Sequence, residues 1–206
     1  MSIGGLTTHI GDSLTYGARD EKGLHYPEVL ARLLSEKYQQ YWTAVNHGIS
    51  GETSAQILRR CYGHVRAYPE SFEVFLLAGF NDAKVNVATP PEELRANLES
   101  MIRSILFAGK ACYLFNLPKG EGFGAPDFVR NDLISAYNLE IKTLWEKYKH
   151  QRMYYVKIDD IPAEYRNDGV HCTHEGNVWI AHRALAAMEF ARCYSLDNTT
   201  PVRVRD

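Results

Sequence analysis

The sequence alternates between short apolar runs and longer stretches with helical periodicity, and this alternation restricts its fold more than any other feature. Parallel strands cannot be joined by a tight turn, because the crossover between them needs about a dozen residues or more, usually as a helix. A strand followed by a helix, repeated five times, therefore predicts an α/β fold with a parallel sheet flanked by helices on both sides.

The predicted strands are rich in apolar and β-branched residues, and they cover residues 7–11, 43–47, 73–78, 111–116 and 153–158. The run EVFLLA at 73–78 is almost continuously apolar, as expected of a strand that is buried on both faces. The predicted helices cover residues 26–41, a stretch capped by Thr53, and residues 90–105, 127–149 and 175–193.

With 206 residues, the chain is predicted to form a single domain over 1–206, with a frayed tail at 195–206. Its formal net charge of −2 offers no basic excess, so a nucleic-acid partner is not expected. No apolar run approaches the roughly 18 residues of a membrane span, and the opening MSIGGLTTHIGD does not resemble a signal peptide. Four cysteines without a CxxC pair favour reduced thiols in a cytoplasmic protein over a disulfide framework or a zinc site.

Unusual polar and glycine-rich loops follow four of the predicted strands. They are GDSLTYG at 11–17, NHGISGETS at 46–54, AGFND at 78–82 and RNDGVHCTHEGN at 166–177. In open α/β sheets, ligands bind beyond the carboxyl ends of the strands. One edge of the sheet is therefore predicted to gather the candidate functional residues.

Ser13 is a candidate nucleophile that needs a neighbouring base. Asp168 precedes His171 by three residues, a spacing that can set a carboxylate against Nδ1–H and leave Nε2 to accept the serine proton. Taken alone, the DxxH pattern is more typical of an Asx turn beside an ordinary loop histidine. A metal site at His171, Cys172 and His174 is disfavoured because no fourth ligand is evident.

Acyl transfer also needs hydrogen-bond donors for the negative charge that develops on the carbonyl oxygen. Gly51 follows the second strand, so its backbone N–H can face outward without an obstructing Cβ. The side-chain amide of Asn81 and the backbone N–H of Ser13 are two further candidate donors. A helix-entry glycine and an Asn-Asp turn are the ordinary interpretations of these residues taken singly.

These motifs resemble those of the SGNH (GDSL-type) serine hydrolases, over about residues 7–190. GDSL at 11–14 resembles the family's nucleophile motif, and NHGISGETS and GFND carry its glycine and asparagine. DGVH at 168–171 carries its aspartate and histidine. The resemblance implies a flavodoxin-like three-layer α/β/α sandwich with five parallel strands. It also implies that the protein hydrolyses esters or thioesters without a metal or cofactor. No GxSxG elbow surrounds Ser13, unlike in the α/β-hydrolases.

The expected substrate is a small acyl ester with a short acyl chain. The loop at 117–128 is predicted to wall the acyl pocket with Phe123 and Phe128, although a plain solvent-facing connection fits its composition equally well. A lysophospholipase, an acyl thioesterase and a carbohydrate O-deacetylase remain alternatives, since the resemblance covers all of them. A binding protein that keeps the fold and a metal-dependent hydrolase are two further alternatives.

Overall fold

A computed structural model describes residues 3–20, 22–121 and 128–197 of the chain. Its strands are β1 (Ile3–Gly11), β2 (Tyr41–Gly48), β3 (Glu73–Leu77), β4 (Ala111–Phe115) and β5 (Met153–Val156). They form a five-stranded sheet in the order β2-β1-β3-β4-β5, and every neighbouring pair is parallel. The predicted parallel sheet is confirmed.

The helices of the described residues are α1 (Ser13–Tyr16), α2 (Tyr26–Tyr38), α3 (Ser54–Ala67), α4 (Pro91–Phe107), α5 (Asn131–Tyr148) and α6 (His174–Asp197). Helix α2 packs against α6, whereas α3, α4 and α5 pack side by side. The connection from β1 to β2 runs toward one edge of the sheet and the later crossovers run toward the other. Right-handed crossovers therefore place the two sets of helices on opposite faces, which makes the three-layer sandwich.

The interior of the sheet contains a buried histidine among its apolar side chains. The His9 ring stacks on Phe75 with 4.6 Å between centroids. Its Nε2 lies 2.9 Å from Thr7 Oγ1 and its Nδ1 lies 3.3 Å from the Tyr26 hydroxyl. Burial lowers the pKa of His9 to about 3, so the ring is neutral and serves as a hydrogen-bonded part of the core.

Strand β1 begins four residues earlier than the predicted start at Thr7. Two glycines precede Leu6, and such a pair suggests a turn rather than a strand. In the fold they lie against Trp42, where a Cβ at Gly5 would come within 2.4 Å of the indole ring. The glycines are therefore strand residues that make room for a large side chain.

Most other predicted ends differ from the observed ones by one to four residues. Helix α2 ends at Tyr38 rather than at 41, because Gln39 adopts a left-handed backbone with φ of 51° and Tyr41 starts β2. Helix α6 continues through Asp197, so residues 195–197 of the predicted tail are helical. The rest of that tail, 198–206, lies outside the described residues.

Helix α3 begins where the sequence predicts. The Thr53 side chain and the Gln56 side chain form a reciprocal capping box at its first turn. This cap fixes the end of the loop that contains Gly51. Among the described residues, we find no helix that is long and apolar enough to span a membrane.

Candidate active site

Ser13 lies at the point where the sheet order reverses, between the carboxyl ends of β2 and β3. It is the first residue of α1, and only Asp12 separates it from the end of β1. The side chain of Asp12 caps this helix, since its Oδ1 accepts a hydrogen bond of 2.9 Å from the backbone N–H of Leu14. The change from strand to helix presents the Ser13 hydroxyl at the sheet edge where open α/β folds bind ligands.

His171 approaches Ser13 from the loop before α6. Its Nε2 lies 3.0 Å from Ser13 Oγ, and its Nδ1 lies 2.8 Å from Asp168 Oδ2. The other carboxylate oxygen of Asp168 accepts hydrogen bonds from the backbone N–H groups of Val170 and His171. The three-residue spacing thus forms a tight loop that fixes the carboxylate against the imidazole.

Two opposing effects act on the Asp168 carboxyl. Burial acts to raise its pKa, but the hydrogen bonds from the backbone and ring of His171 outweigh burial and hold that pKa below its usual range. The guanidinium of Arg19 adds an ion pair, with Nε 3.1 Å from Asp168 Oδ2. The carboxylate is therefore ionised where it accepts a hydrogen bond from Nδ1–H of His171.

Gly51 and Asn81, which the sequence predicts as oxyanion donors, line the same pocket as Ser13. Gly51 has a φ of 85°, which favours glycine, and open space where a Cβ would stand. The buried Asn81 amide donates one hydrogen bond of 2.9 Å to the carbonyl of Glu52, and no described residue accepts from its second N–H. In the described part of the chain, no acceptor bonds the backbone N–H of Ser13 or of Gly51.

Arg60 of α3 ties together the loops that carry these donors. Its guanidinium donates to the carbonyl of Gly11 at 2.9 Å and to that of His47 at 2.8 Å, which are the ends of β1 and β2. It also pairs with the carboxylate of Glu52 at 2.7 Å. Since the carbonyl of Glu52 accepts the Asn81 amide, Arg60 connects all three loops behind the candidate oxyanion site.

The five predicted residues line one pocket of about 610 Å³. Its remaining walls are Ala18, Arg19, Ser50, Phe80, Lys84, Phe128 and Val170. Phe128 therefore lines this pocket, and its role as a wall for the acyl chain stays a prediction, whereas Phe123 lies outside the described residues. A cavity of this size is within the range of small-molecule sites.

Sequence reasoning missed three cationic residues of this site: Arg19, Arg60 and Lys84. A signal existed for Arg60, since it lies between the apolar positions Ile57 and Cys61 of a predicted helix, which is an unusual place for a charge. No comparable signal marked Arg19 or Lys84, because their proximity to Ser13 depends on how separate loops meet.

Asp12 was also missed, although it precedes Ser13 directly. Its side chain is fully buried and its Oδ2 has no hydrogen-bond partner among the described residues. Burial raises the pKa of Asp12 to about 7, and the carboxylate of Asp82 acts in the same direction. The charged form of Asp12 is therefore disfavoured beside the nucleophile.

The described residues contain no cluster of three or more side chains able to hold a metal ion. His171 uses Nδ1 on Asp168 and Nε2 on Ser13. Cys172 is buried, and His174 Nδ1 lies 3.6 Å from Asp20 instead. His171 and His174 therefore contact different carboxylates, which supports the serine–histidine arrangement over a shared metal ligand set.

Comparison with known proteins adds a family and a fold. A model of the GDSL-like lipase/acylhydrolase family matches residues 9–179. No curated protein matches the chain.

Solved structures with the same fold include the lipase/acylhydrolase from Enterococcus faecalis, 20% identical with a TM-score of 0.77 over 92% of this chain and 96% of that one. A catalytic mutant of an acetylxylan esterase from Geobacillus stearothermophilus is 21% identical, with a TM-score of 0.73 over 91% and 95%. The family 3 carbohydrate esterase of Clostridium thermocellum is 19% identical, with a TM-score of 0.73 over 94% and 99%. At these identities the likeness establishes the fold.

Proposed function

The chain belongs to the GDSL-like lipase/acylhydrolase family of esterase-type hydrolases, and from that premise we propose that it cleaves carboxylic esters through an acyl-enzyme on Ser13. The observation that carries this proposal is the distance of 3.0 Å between Ser13 Oγ and His171 Nε2, with Asp168 on the other ring nitrogen. A serine hydroxyl becomes a useful nucleophile only when such a base takes its proton.

In the first half of the reaction, Ser13 Oγ attacks the ester carbonyl carbon while its proton passes to His171 Nε2. Asp168 keeps the Nδ1 proton in place and stabilises the imidazolium. The tetrahedral intermediate then collapses, and the leaving alcohol takes the proton from Nε2. In the second half, water attacks the acyl carbon while His171 Nε2 takes its proton. The bond to Ser13 Oγ then breaks, Oγ takes the proton from Nε2, and the carboxylic acid is released.

The negative charge of the intermediate falls on the former carbonyl oxygen. We assign its stabilisation to the backbone N–H groups of Ser13 and Gly51 and to the free amide N–H of Asn81. Because these donors have no other partner in the described part of the chain, they need no reorganisation when the charge develops.

Short acyl chains are the proposed preference. The apolar side chains among the described lining residues are Ala18, Phe80, Phe128 and Val170, a set that we expect to bury only a few methylenes of an acyl chain at about 0.8 kcal/mol each. We expect kcat/KM on simple esters to peak at about two to six acyl carbons and to fall with longer chains.

A rate profile from acetyl to palmitoyl esters tests this preference. Phe128→Ala should change the profile more than it changes the rate on acetate esters, because acetate is too short to reach that wall. A maximum at about twelve carbons or more would contradict the short-chain proposal and favour a lysophospholipase or a long-chain thioesterase.

A carbohydrate O-deacetylase is the second candidate. It draws support from the names of two structural neighbours, a carbohydrate esterase and an acetylxylan esterase. Acetylated xylan fragments assayed beside aryl acetates separate the two, since a deacetylase should release acetate from the sugar with the higher kcat/KM.

A single domain and a cytoplasmic location, inferred from length and cysteine usage, also stay proposals.

A further inference from the structure

The pocket beside Ser13 contains two cationic side chains that the proposed reaction does not require, Arg19 and Lys84. They come from different loops, one after α1 and one after β3. Each is held at the pocket by specific contacts, so their presence there follows from the fold and not from a chance side-chain position.

Arg19 occupies an unfavourable backbone conformation. Its φ is 66°, in the left-handed region that non-glycine residues seldom adopt. Its carbonyl accepts a hydrogen bond of 2.7 Å from the Asn167 amide, which ties it to the loop that carries Asp168 and His171. One guanidinium nitrogen, Nε, pairs with Asp168. No described residue accepts a hydrogen bond from the terminal nitrogens, and the side chain is 64% exposed.

Lys84 is fixed by two segments that meet across the pocket wall. Lys84 and Val129 form an antiparallel bridge, and the backbone N–H of Val85 donates to the carbonyl of Phe128 at 3.0 Å. This bridge sets the Lys84 ammonium over the Phe128 ring, 5.0 Å from its centroid. Within the described residues, no carboxylate lies within ion-pair distance of Lys84.

A carboxylate of the pocket pairs with Arg19, whereas Lys84 has no such partner among the described residues. Asp168 is the only acidic side chain among the described lining residues, and its oxygens already accept from His171, Val170 and Arg19. Asp82 is buried and binds Ser54 through both oxygens.

Two other carboxyl groups lie near the site. Glu52 pairs with Arg60. Burial raises the pKa of Asp12 and disfavours its charge. The described walls of the pocket therefore carry two positive groups and one negative group, and this net positive charge favours anionic ligands.

We propose that this pocket selects esters that carry an anionic group, a carboxylate or a phosphate, near the ester bond, and that Arg19 and Lys84 bind that group. This inference rests on the proposed function and adds its substrate class. The ammonium of Lys84 supplies a point charge, and the free guanidinium donors of Arg19 suit a carboxylate or phosphate oxygen.

The test compares esters of equal shape and different charge. We would measure kcat/KM for 3-acetoxybenzoate and 3-acetoxybenzamide, each divided by the rate of its alkaline hydrolysis to remove differences in leaving group. In a second arm, 3-acetoxyphenyl phosphate against 3-acetoxyanisole distinguishes phosphate from carboxylate. At low salt we expect a preference of about tenfold for one anionic ester, and the preference should shrink as NaCl rises.

Lys84→Gln and Arg19→Gln should each reduce that preference, and the double variant should bring it close to one. Losing Arg19 also alters the surroundings of Asp168, but this affects both esters of a pair and leaves their ratio unchanged. The exposed Lys142 of α5 gives a matched control, since Lys142→Gln removes the same charge away from the pocket and should keep the preference.

Ser13→Ala separates failure of this inference from failure of the proposed function. Ser13-dependent hydrolysis of the neutral esters with no preference for either anion would overturn the anionic substrate class and leave the esterase proposal standing. A preference that persists in the double variant would overturn the assignment to Arg19 and Lys84. Absence of Ser13-dependent hydrolysis for every ester would overturn both proposals.

Discussion

Strand β1 carries a histidine-containing cluster in its interior and leads into another at its carboxyl end. In the interior, both ring nitrogens of His9 meet protein partners, Thr7 and Tyr26, and the ring is fully buried. At the end, Ser13 and His171 face a pocket. The first cluster completes its hydrogen bonds within the protein, whereas the second has donors that no described residue accepts from.

The two clusters therefore have different roles, one in stability and one in chemistry. A buried polar group that is fully paired stabilises the core and gives it a unique arrangement. A site for acyl transfer needs the opposite, because donors already bonded to protein cannot stabilise a new charge. The sheet makes both possible, since it buries the middle of β1 and opens at its carboxyl edge.

Asp168→Asn, a change in the cluster that faces the pocket, should have the largest effect on kcat. An amide presented to Nδ1 favours the wrong tautomer of His171, so kcat should fall by about 10⁴-fold. Steady-state hydrolysis of an aryl acetate measures kcat, and thermal unfolding checks that the variant is folded. A loss below tenfold would show that the Asp168–His171 contact only shapes the loop.

Asn81→Ala should have the next largest effect. Removing one oxyanion donor should lower kcat by about 10²–10³-fold, with a much smaller change in KM. A rise in KM at constant kcat would instead assign Asn81 to substrate binding or to the turn after β3.

Arg60→Gln tests whether the positions of the oxyanion donors depend on the hydrogen bonds that Arg60 makes behind them. Loss of its bonds to Gly11, His47 and Glu52 should let the loops shift and lower kcat by about 10-fold to 10²-fold, because misplacement of about 1 Å can have that effect. The exposed neighbour Arg59 provides the control, since Arg59→Gln removes a charge from the same helix without touching these loops. Equal rates in the two variants would remove Arg60 from the positioning of the site.

His9→Gln should have the smallest effect on catalysis and should instead change the pH dependence of stability. The folded-state pKa of His9 is lowered by burial from 6.5 to about 3, so the unfolded chain takes up the proton first as the pH falls below 6.5. The contribution of His9 to the free energy of unfolding is therefore complete above pH 6.5 and declines progressively toward pH 3.

Urea unfolding of the variant at pH 7 and pH 5 should show a smaller loss of stability on acidification than in the wild type. Part of the loss should remain, because burial also lowers the pKa of His47, to about 4. His182→Gln, on the exposed side of α6, controls for loss of a histidine as such. An unchanged pH dependence in His9→Gln would mean that His9 accepts a proton in the folded core.

The carboxyl edge was more predictable from sequence than the contacts behind it. Ser13, Gly51 and Asn81 each follow a strand, and parallel strands end at the same edge, so local motifs suffice to bring them together. Residues 4–5 were not predicted as strand because the space they leave is occupied by Trp42, more than thirty positions away. The roles of Lys84 and Arg60 depend in the same way on loops that meet only in the folded chain.

Covalent labelling by a phosphonylating inhibitor tests directly whether Ser13 is the nucleophile. The proposed mechanism predicts one added phosphonyl mass on the peptide that contains Ser13, with loss of the label in Ser13→Ala. Ser50 lines the same pocket and offers the matched comparison, so the label should persist in Ser50→Ala. A label on Ser50 or another serine, or labelling that survives in Ser13→Ala, would contradict the assignment of Ser13 as the nucleophile.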